Sequence, residues 1–179
     1  MGAFEGTISE GCIWGWNILI FVTTGSRKFQ FDRLIRELDR LAESGEVTEP
    51  IFAQIAETKY LPHSIGYKRY LSPEEFSEYQ DKADLIITHA GTGALIGALK
   101  KGKQVIAVPR FKRFGEHSDD HQLQVAQALK EEGYLRVVLN IKNLGKAIKL
   151  AYDKPIIKKY DKPSRVVPMI EEQIDKWFR

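Results

Sequence analysis

A single cysteine, Cys12, is all the thiol chemistry that the 179-residue chain contains. It excludes an intrachain disulfide framework and any cysteine-based zinc cluster, and the expected compartment is a reducing one, the cytoplasm. Long apolar runs are equally scarce. The run near the N-terminus, Cys12 to Thr23, is about a dozen residues against the roughly 20 that a spanning helix needs. Glu5 and Glu10 precede it where a secretory leader would be basic, so no secretory signal is expected. Charge of one sign is lacking too: 27 Lys and Arg against 24 Asp and Glu leave +3, too little to argue for a nucleic-acid partner. No H-E-x-x-H, no serine nucleophile elbow and no acidic calcium loop occurs, so neither a metal site nor a bound cofactor is expected.

An apolar fraction of 43% with 28% charged residues is that of a globular protein, and the length suits one α/β domain. Basic residues crowd into 100–103, 110–113 and 154–162, as solvated faces or as surfaces for phosphates or an anionic membrane. The organising stretch is Asp84 to Gly102. Leu85, Ile86 and Ile87 have the composition of a strand buried on both faces, and the run stops at His89-Ala90-Gly91. From Thr92 the period changes, with Ala94, Leu95, Ile96, Ala98 and Leu99 on one side of a helix that ends near Gly102. A helix that starts in a glycine turn points unpaired N–H groups at whatever lies above the strand, and an anion fits there. Gly91 and Gly93 permit close approach, and the Thr92 hydroxyl can cap the helix or donate to a phosphate. Glycines kept only for close strand–helix packing remain the alternative.

Before this stretch, residues 1–16 lack any sustained period and read as an extension, leaving a domain over 17–179. Residues 17–24 form a strand that runs into Gly25-Ser26, then a helix over about 29–43. Thr24, Gly25 and Ser26 thus stand at the carboxyl end of a strand, where open α/β sheets bind ligands. Strands are expected at 51–55 and 65–71, and Ser72-Pro-Glu-Glu75 has the pattern of a capping box. After Gly102 come a strand at 104–108, a basic loop over 110–119, a helix opened by Asp119 or Asp120, a strand at 134–139, and closing helices at 142–152 and about 163–178. This alternation predicts an α/β fold: a mostly parallel sheet with helices on both faces.

Three of the four histidines, His89, His117 and His121, fall in the glycine turn and the basic loop. Those segments carry a resemblance. Phe21-Val-Thr-Thr-Gly-Ser26 with Phe31-Asp-Arg-Leu34, Ile87-Thr-His-Ala-Gly-Thr-Gly93, Val108-Pro-Arg110 and Phe114-Gly-Glu-His-Ser-Asp-Asp-His-Gln122 resemble the donor-binding half of GT-B glycosyltransferases of family 28. This is the Rossmann-like C-terminal domain shared with MurG. The similarity is strongest to small stand-alone versions: the PssE-like subunits of bacterial exopolysaccharide and capsule synthesis, and the catalytic subunit of the two-subunit dolichol-linked N-acetylglucosaminyltransferase.

The resemblance implies a UDP-sugar donor site, with Gly25, Ser26, Gly91, Thr92 and Gly93 on the diphosphate and the backbone near Tyr70 and Leu71 reading the uracil. Thr24, His89, Arg110 and Asp120 complete the expected donor set, and His121 and Gln122 match positions that face the donor sugar. His117 is the first candidate for the catalytic base, with Glu116 beside it and a base on the partner as the alternative. One departure stands out: the carboxylate that binds the ribose in MurG-like proteins is replaced by Gly97, with Glu116 as a possible substitute. The implied function is that of a donor-binding catalytic subunit of an inverting hexosyltransferase, peripheral to the inner membrane through a membrane-associated, PssD-like partner that binds a lipid-linked acceptor. Apolar residues at both ends, Ile13, Trp14, Trp16, Trp177 and Phe178, are the expected contact surface, with packing on their own domain as the alternative. The alternatives are a non-catalytic stabilising subunit and an NAD(P)-binding oxidoreductase domain built on Gly91, Gly93 and Gly97.

Overall fold

The computed structural model describes residues 18–162 except Arg27, Asp119, Asp120 and the side chain of His121. The N-terminal extension over 1–16, the helix expected at 163–178 and both terminal aromatic clusters lie outside the described residues.

Six strands form one sheet: β1 (Ile20–Thr23), β2 (Ile51–Gln54), β3 (Gly66–Lys68), β4 (Leu85–Thr88), β5 (Gln104–Ala107) and β6 (Arg136–Val137). Their spatial order is β3-β2-β1-β4-β5-β6, and every pairing is parallel. The side-chain period of two divides each strand between two cores. In register across the sheet, Phe21, Phe52, Ile86 and Val105 face one side. Ile20, Val22, Ile51, Leu85 and Ile87 face the other.

Helices cover both faces. On the Ile20 side lie α1 (Asp32–Glu43), which buries Leu34, Ile35, Leu38 and Leu41, and α5 (Leu144–Asp153), which buries Leu144, Ile148 and Ala151. On the Phe21 side lie α2 (Pro73–Lys82), α3 (Thr92–Lys100) and α4 (His121–Glu131). The capping box of α2 is formed: the Glu75 N–H donates to Ser72 Oγ at 3.2 Å and the Ser72 N–H donates to Glu75 Oε2 at 2.8 Å. Tyr79 of α2 then stacks on Phe52 with ring centroids 4.1 Å apart, and Phe76 meets Phe21 edge-on at 5.3 Å.

Several boundaries differ from the sequence expectation, among them the strand expected at 65–71, which is only Gly66–Lys68. Helix α1 starts at Asp32 and not at 29, because residues 29–31 are engaged elsewhere: the Phe29 carbonyl accepts from Arg110, and Gln30 Oε1 accepts the Asp32 N–H at 2.8 Å. Strand β6 is two residues long at the sheet edge, paired only to β5. The last described helix is preceded by a single 3-10 turn, Ile141–Asn143, started by the Asn140 side chain.

Acidic residues of α1 tie down the long connection after β2. Asp39, buried, accepts from Tyr60 Oη at 2.5 Å and from the Ser64 N–H at 2.7 Å, while Asp32 accepts the Lys59 N–H at 2.8 Å. Several of the crowded basic residues are locally neutralised: Lys101 pairs with Asp81 at 2.7 Å and Lys162 pairs with Glu132 at 2.5 Å. Among the described residues no helix is long and apolar enough to cross a membrane.

Candidate functional site

The chain moves outward from β1 through β2 to β3, then returns to place β4 on the other side of β1. At such a reversal the loops leaving the two central strands diverge to opposite faces and open a crevice above their carboxyl ends. A cleft of about 770 Å³ lies there.

Its floor is built around His89, the residue after β4. The ring is held on one side by Nδ1, 3.3 Å from the Thr23 carbonyl and 3.4 Å from Thr88 Oγ1. A carbonyl only accepts, so the Thr23 contact requires the proton on Nδ1. The other edge of the ring lies against two glycines. A Cβ on Gly25 would fall 2.6 Å from His89 Nε2, and one on Gly91 only 2.3 Å from it. Gly25 also has φ +83°, a conformation that side chains disfavour. The glycines thus serve close packing, since at both positions glycine admits the imidazole, and the Gly25 N–H donates to Thr23 Oγ1 at 3.1 Å.

Helix α3 starts directly beside this ring. Gly91 is its N-cap, with no side chain bonded back onto the helix start, and Thr92 is the first helical residue, so its hydroxyl is not the cap. The first N–H groups of a helix lack intrahelical acceptors, and here Thr92, Gly93 and Ala94 line the cleft. The turn into the helix is strained, since Ala90 has φ +66°.

The remaining walls come from three loops. Arg110, after β5, lines the cleft although only 1% exposed. It donates to the Thr24 and Phe29 carbonyls, while its Nε has no partner among the described residues. Burial pushes its guanidinium down to about 10, and the carboxylate of Glu116 works against that shift. A desolvated cation on a cleft wall is a strong site for an anion. His117 lines the cleft with its ring 5.0 Å from that of Phe29, and Gln122 of α4 accepts the Arg110 N–H at 3.4 Å.

Ten residues named from sequence thus converge on one cleft: Gly25 and Ser26; Leu71; His89, Gly91, Thr92 and Gly93; Arg110, His117 and Gln122. Three are placed elsewhere. Thr24 is wholly buried behind the loop, its hydroxyl on the Gln54 carbonyl at 3.1 Å. Tyr70 is exposed and donates to Glu57. Glu116 is 1% exposed and does not line this cleft; both its oxygens accept from Arg33 at 2.9 Å, and Oε2 accepts the Phe111 N–H at 3.0 Å. The Arg33 guanidinium also lies 5.2 to 5.3 Å from the Phe31, Phe111 and Phe114 rings. Glu116 is thereby committed to a structural ion pair and is not positioned as a catalytic or ribose-binding carboxylate. Asp120 and the His121 side chain lie outside the described residues, although His121 is the first residue of α4. Among the described residues no cluster of His, Cys, Asp and Glu could hold a metal.

Sequence reading missed Gln54. Its Nε2 donates to the Gly25 carbonyl at 3.2 Å and its Oε1 accepts the Leu71 N–H at 3.1 Å, so one amide joins the two loops of the cleft. The available signal was a polar residue ending the apolar strand Ile51-Phe-Ala.

An open parallel sheet with a glycine-lined cleft at its order reversal defines an α/β domain of the Rossmann type. The chain belongs to the family described as glycosyltransferase family 28 C-terminal domain, whose model matches residues 19–172. It is 28% identical to the human UDP-N-acetylglucosamine transferase subunit ALG13 over 65% of this chain and 10% of that protein. Against the protein of the same name from Yarrowia lipolytica it is 32% identical over 43% of this chain and 38% of the relative. The chain thus spans about a tenth of the length of the human relative. Solved structures share the fold. MurG of Acinetobacter baumannii superposes with a TM-score of 0.54 at 19% identity, covering 75% of this chain and 41% of that one. Os79 of O. sativa, solved in complex with UDP, gives 0.58 at 15% identity over 76% of this chain and 32% of its own.

Proposed function

We propose that this chain is the donor-binding, catalytic subunit of a two-component inverting glycosyltransferase, moving a sugar from a UDP-sugar to a lipid-linked acceptor in polysaccharide biosynthesis. The observation that carries the reading is the meeting of the Gly25 loop and the α3 N-terminus around His89, with Arg110 buried in the same wall. Open N–H groups, a helix dipole and a desolvated guanidinium together suit a diphosphate whose negative charge grows as it leaves. Membership of a glycosyltransferase family and relatives named as transferase subunits support the sugar donor and the second component.

In the proposed reaction the acceptor hydroxyl oxygen attacks the anomeric carbon from the face opposite the diphosphate. The carbon–oxygen bond to UDP breaks, and the hydroxyl proton passes to a base. His117 is the candidate on this chain, its imidazole standing at the cleft wall. A membrane-associated, PssD-like partner supplies the other half of the cleft and the acceptor. The chain itself is cytoplasmic and reaches the inner face of a membrane through that partner.

A second reading, a non-catalytic stabilising subunit, is favoured by one observation: the Glu116 carboxylate is locked onto Arg33 and out of the cleft. Sugar transfer by the reconstituted complex separates the two. His117→Ala, Asp120→Ala and His121→Ala should each slow transfer under the catalytic reading, and three variants at the wild-type rate would establish the scaffold. The oxidoreductase alternative calls for a carboxylate at the end of β5, where Pro109 and Arg110 stand.

A further inference from the structure

Beyond the first turn of α3 the cleft reaches a buried polar side chain, that of Gln80. Gln80 of α2 is 5% exposed and lines the cleft, yet its Nε2 has no hydrogen-bond partner among the described residues. Facing it on α3 is Gly97, where a Cβ would meet Gln80 alone, 3.7 Å from Nε2 and from Oε1. Buried amide N–H groups are almost always satisfied in folded proteins, so an unpaired one on a cleft wall marks a place for a ligand oxygen. The terminal amide torsion is broad, and turning the amide edge toward the cleft costs little.

The position fixes which part of a nucleotide would arrive there. Gly97 follows Gly93 by four residues, about 6 Å along the helix axis. A ribose is joined to its phosphates through a single methylene, so with the phosphates on the N–H groups of the α3 start, the sugar lies about one helical turn away. Leu71 and Phe76, also on the cleft wall, offer apolar surface for the base beyond it. An amide matches a vicinal diol, since it can donate to one hydroxyl through Nε2 and accept from the other through Oε1. We propose that Gln80 takes the ribose hydroxyls of the bound nucleotide and that Gly97, by carrying no side chain, leaves room for the ribose to reach it.

The assignment rests on the UDP-sugar reading, and the experiment separates the two. Calorimetric titration of the purified chain with UDP and with 2′-deoxy-UDP should show wild type preferring UDP by about tenfold, the effect of one well-made hydrogen bond. Gln80→Leu should bind both nucleotides at the deoxy level, and Gln80→Glu, which can accept from both hydroxyls, should keep a preference for UDP. Gly97→Val leaves Gln80 in place and fills the space beside it, and should weaken UDP at least tenfold. Wild-type discrimination retained in Gln80→Leu, or full UDP affinity in Gly97→Val, overturns the role of Gln80 while leaving the nucleotide site intact. Failure of the wild-type chain to bind UDP at all overturns the site and the assignment with it.

Discussion

The imidazole of His89 stands where a side chain at Gly91 would begin, with Nε2 2.3 Å from the position of the missing Cβ. The ring therefore fixes the distance between the last residue of β4 and the first turn of α3. Because Gly25 meets the same ring from the β1 side, one histidine sets the spacing of both loops above the sheet switch point.

Gly91→Ala should displace this ring. Its backbone, φ −67° and ψ 129°, accepts alanine, so the whole effect comes from the clash. Overpacking of this kind costs about 1–3 kcal/mol, which for a domain of this size lowers Tm by roughly 2–12 °C. UDP affinity should fall at least tenfold. A double-mutant cycle with His89→Ala should show strong coupling: the second substitution removes the clash and recovers much of the lost Tm.

Arg110→Met should leave stability little changed and remove most of the nucleotide affinity. Two effects oppose each other in the free protein: a buried guanidinium held down to about 10 by desolvation is relieved, while its bonds to the Thr24 and Phe29 carbonyls are lost. An anion in the cleft has no such compensation. Titration with UDP should show more than a tenfold loss, steeper at low ionic strength where the charge is less screened.

Glu116→Gln should do the reverse. Leaving Arg33 without its carboxylate, in a pair whose acid is 1% exposed, should destabilise the fold by about 3 kcal/mol in urea unfolding. UDP binding should stay within about twofold of wild type at temperatures where the variant is folded. A large loss of affinity with unchanged stability would show that the carboxylate reaches the ligand.

The layout of the fold was legible because its signals are local. Short apolar runs between turn residues, such as Leu85-Ile-Ile and Ile51-Phe-Ala, read as buried strands, and Ser72-Pro-Glu-Glu announces α2 through its capping box. The glycine turn and the segment from Phe114 to Gln122 likewise pointed to one site, and ten of their residues and neighbours share the cleft. What could not be read was pairing across the chain. Glu116 and Arg33 are 83 positions apart, and nothing near either one shows that the carboxylate is taken. Gln54 and Gln80 are ordinary polar residues in sequence, and only the fold places one between two loops and the other at the cleft wall, its Nε2 without a partner among the described residues.

Acid should loosen α2 first. The bond from Lys68 and the Ser72 N–H hold the Glu75 carboxyl below its usual range, and Lys101 does the same for Asp81. A folded value below the unfolded one means that the contribution is present above the ordinary carboxylate range, about 4, and is lost as pH falls through the depressed values. Tm should be level from about pH 7 to 5 and decline below that. Glu75→Gln, which keeps an acceptor for the Ser72 N–H without the charge, should show a shallower acid decline.

The most direct test of a donor site at the β1–β4 switch point is calorimetric titration of the chain with UDP, alone and with its partner subunit, against Gly91→Ala under the same conditions. A saturable heat for wild type that is lost or weakened at least tenfold in the variant is the predicted result. No heat with UDP in either setting, or equal binding by the variant, would contradict it.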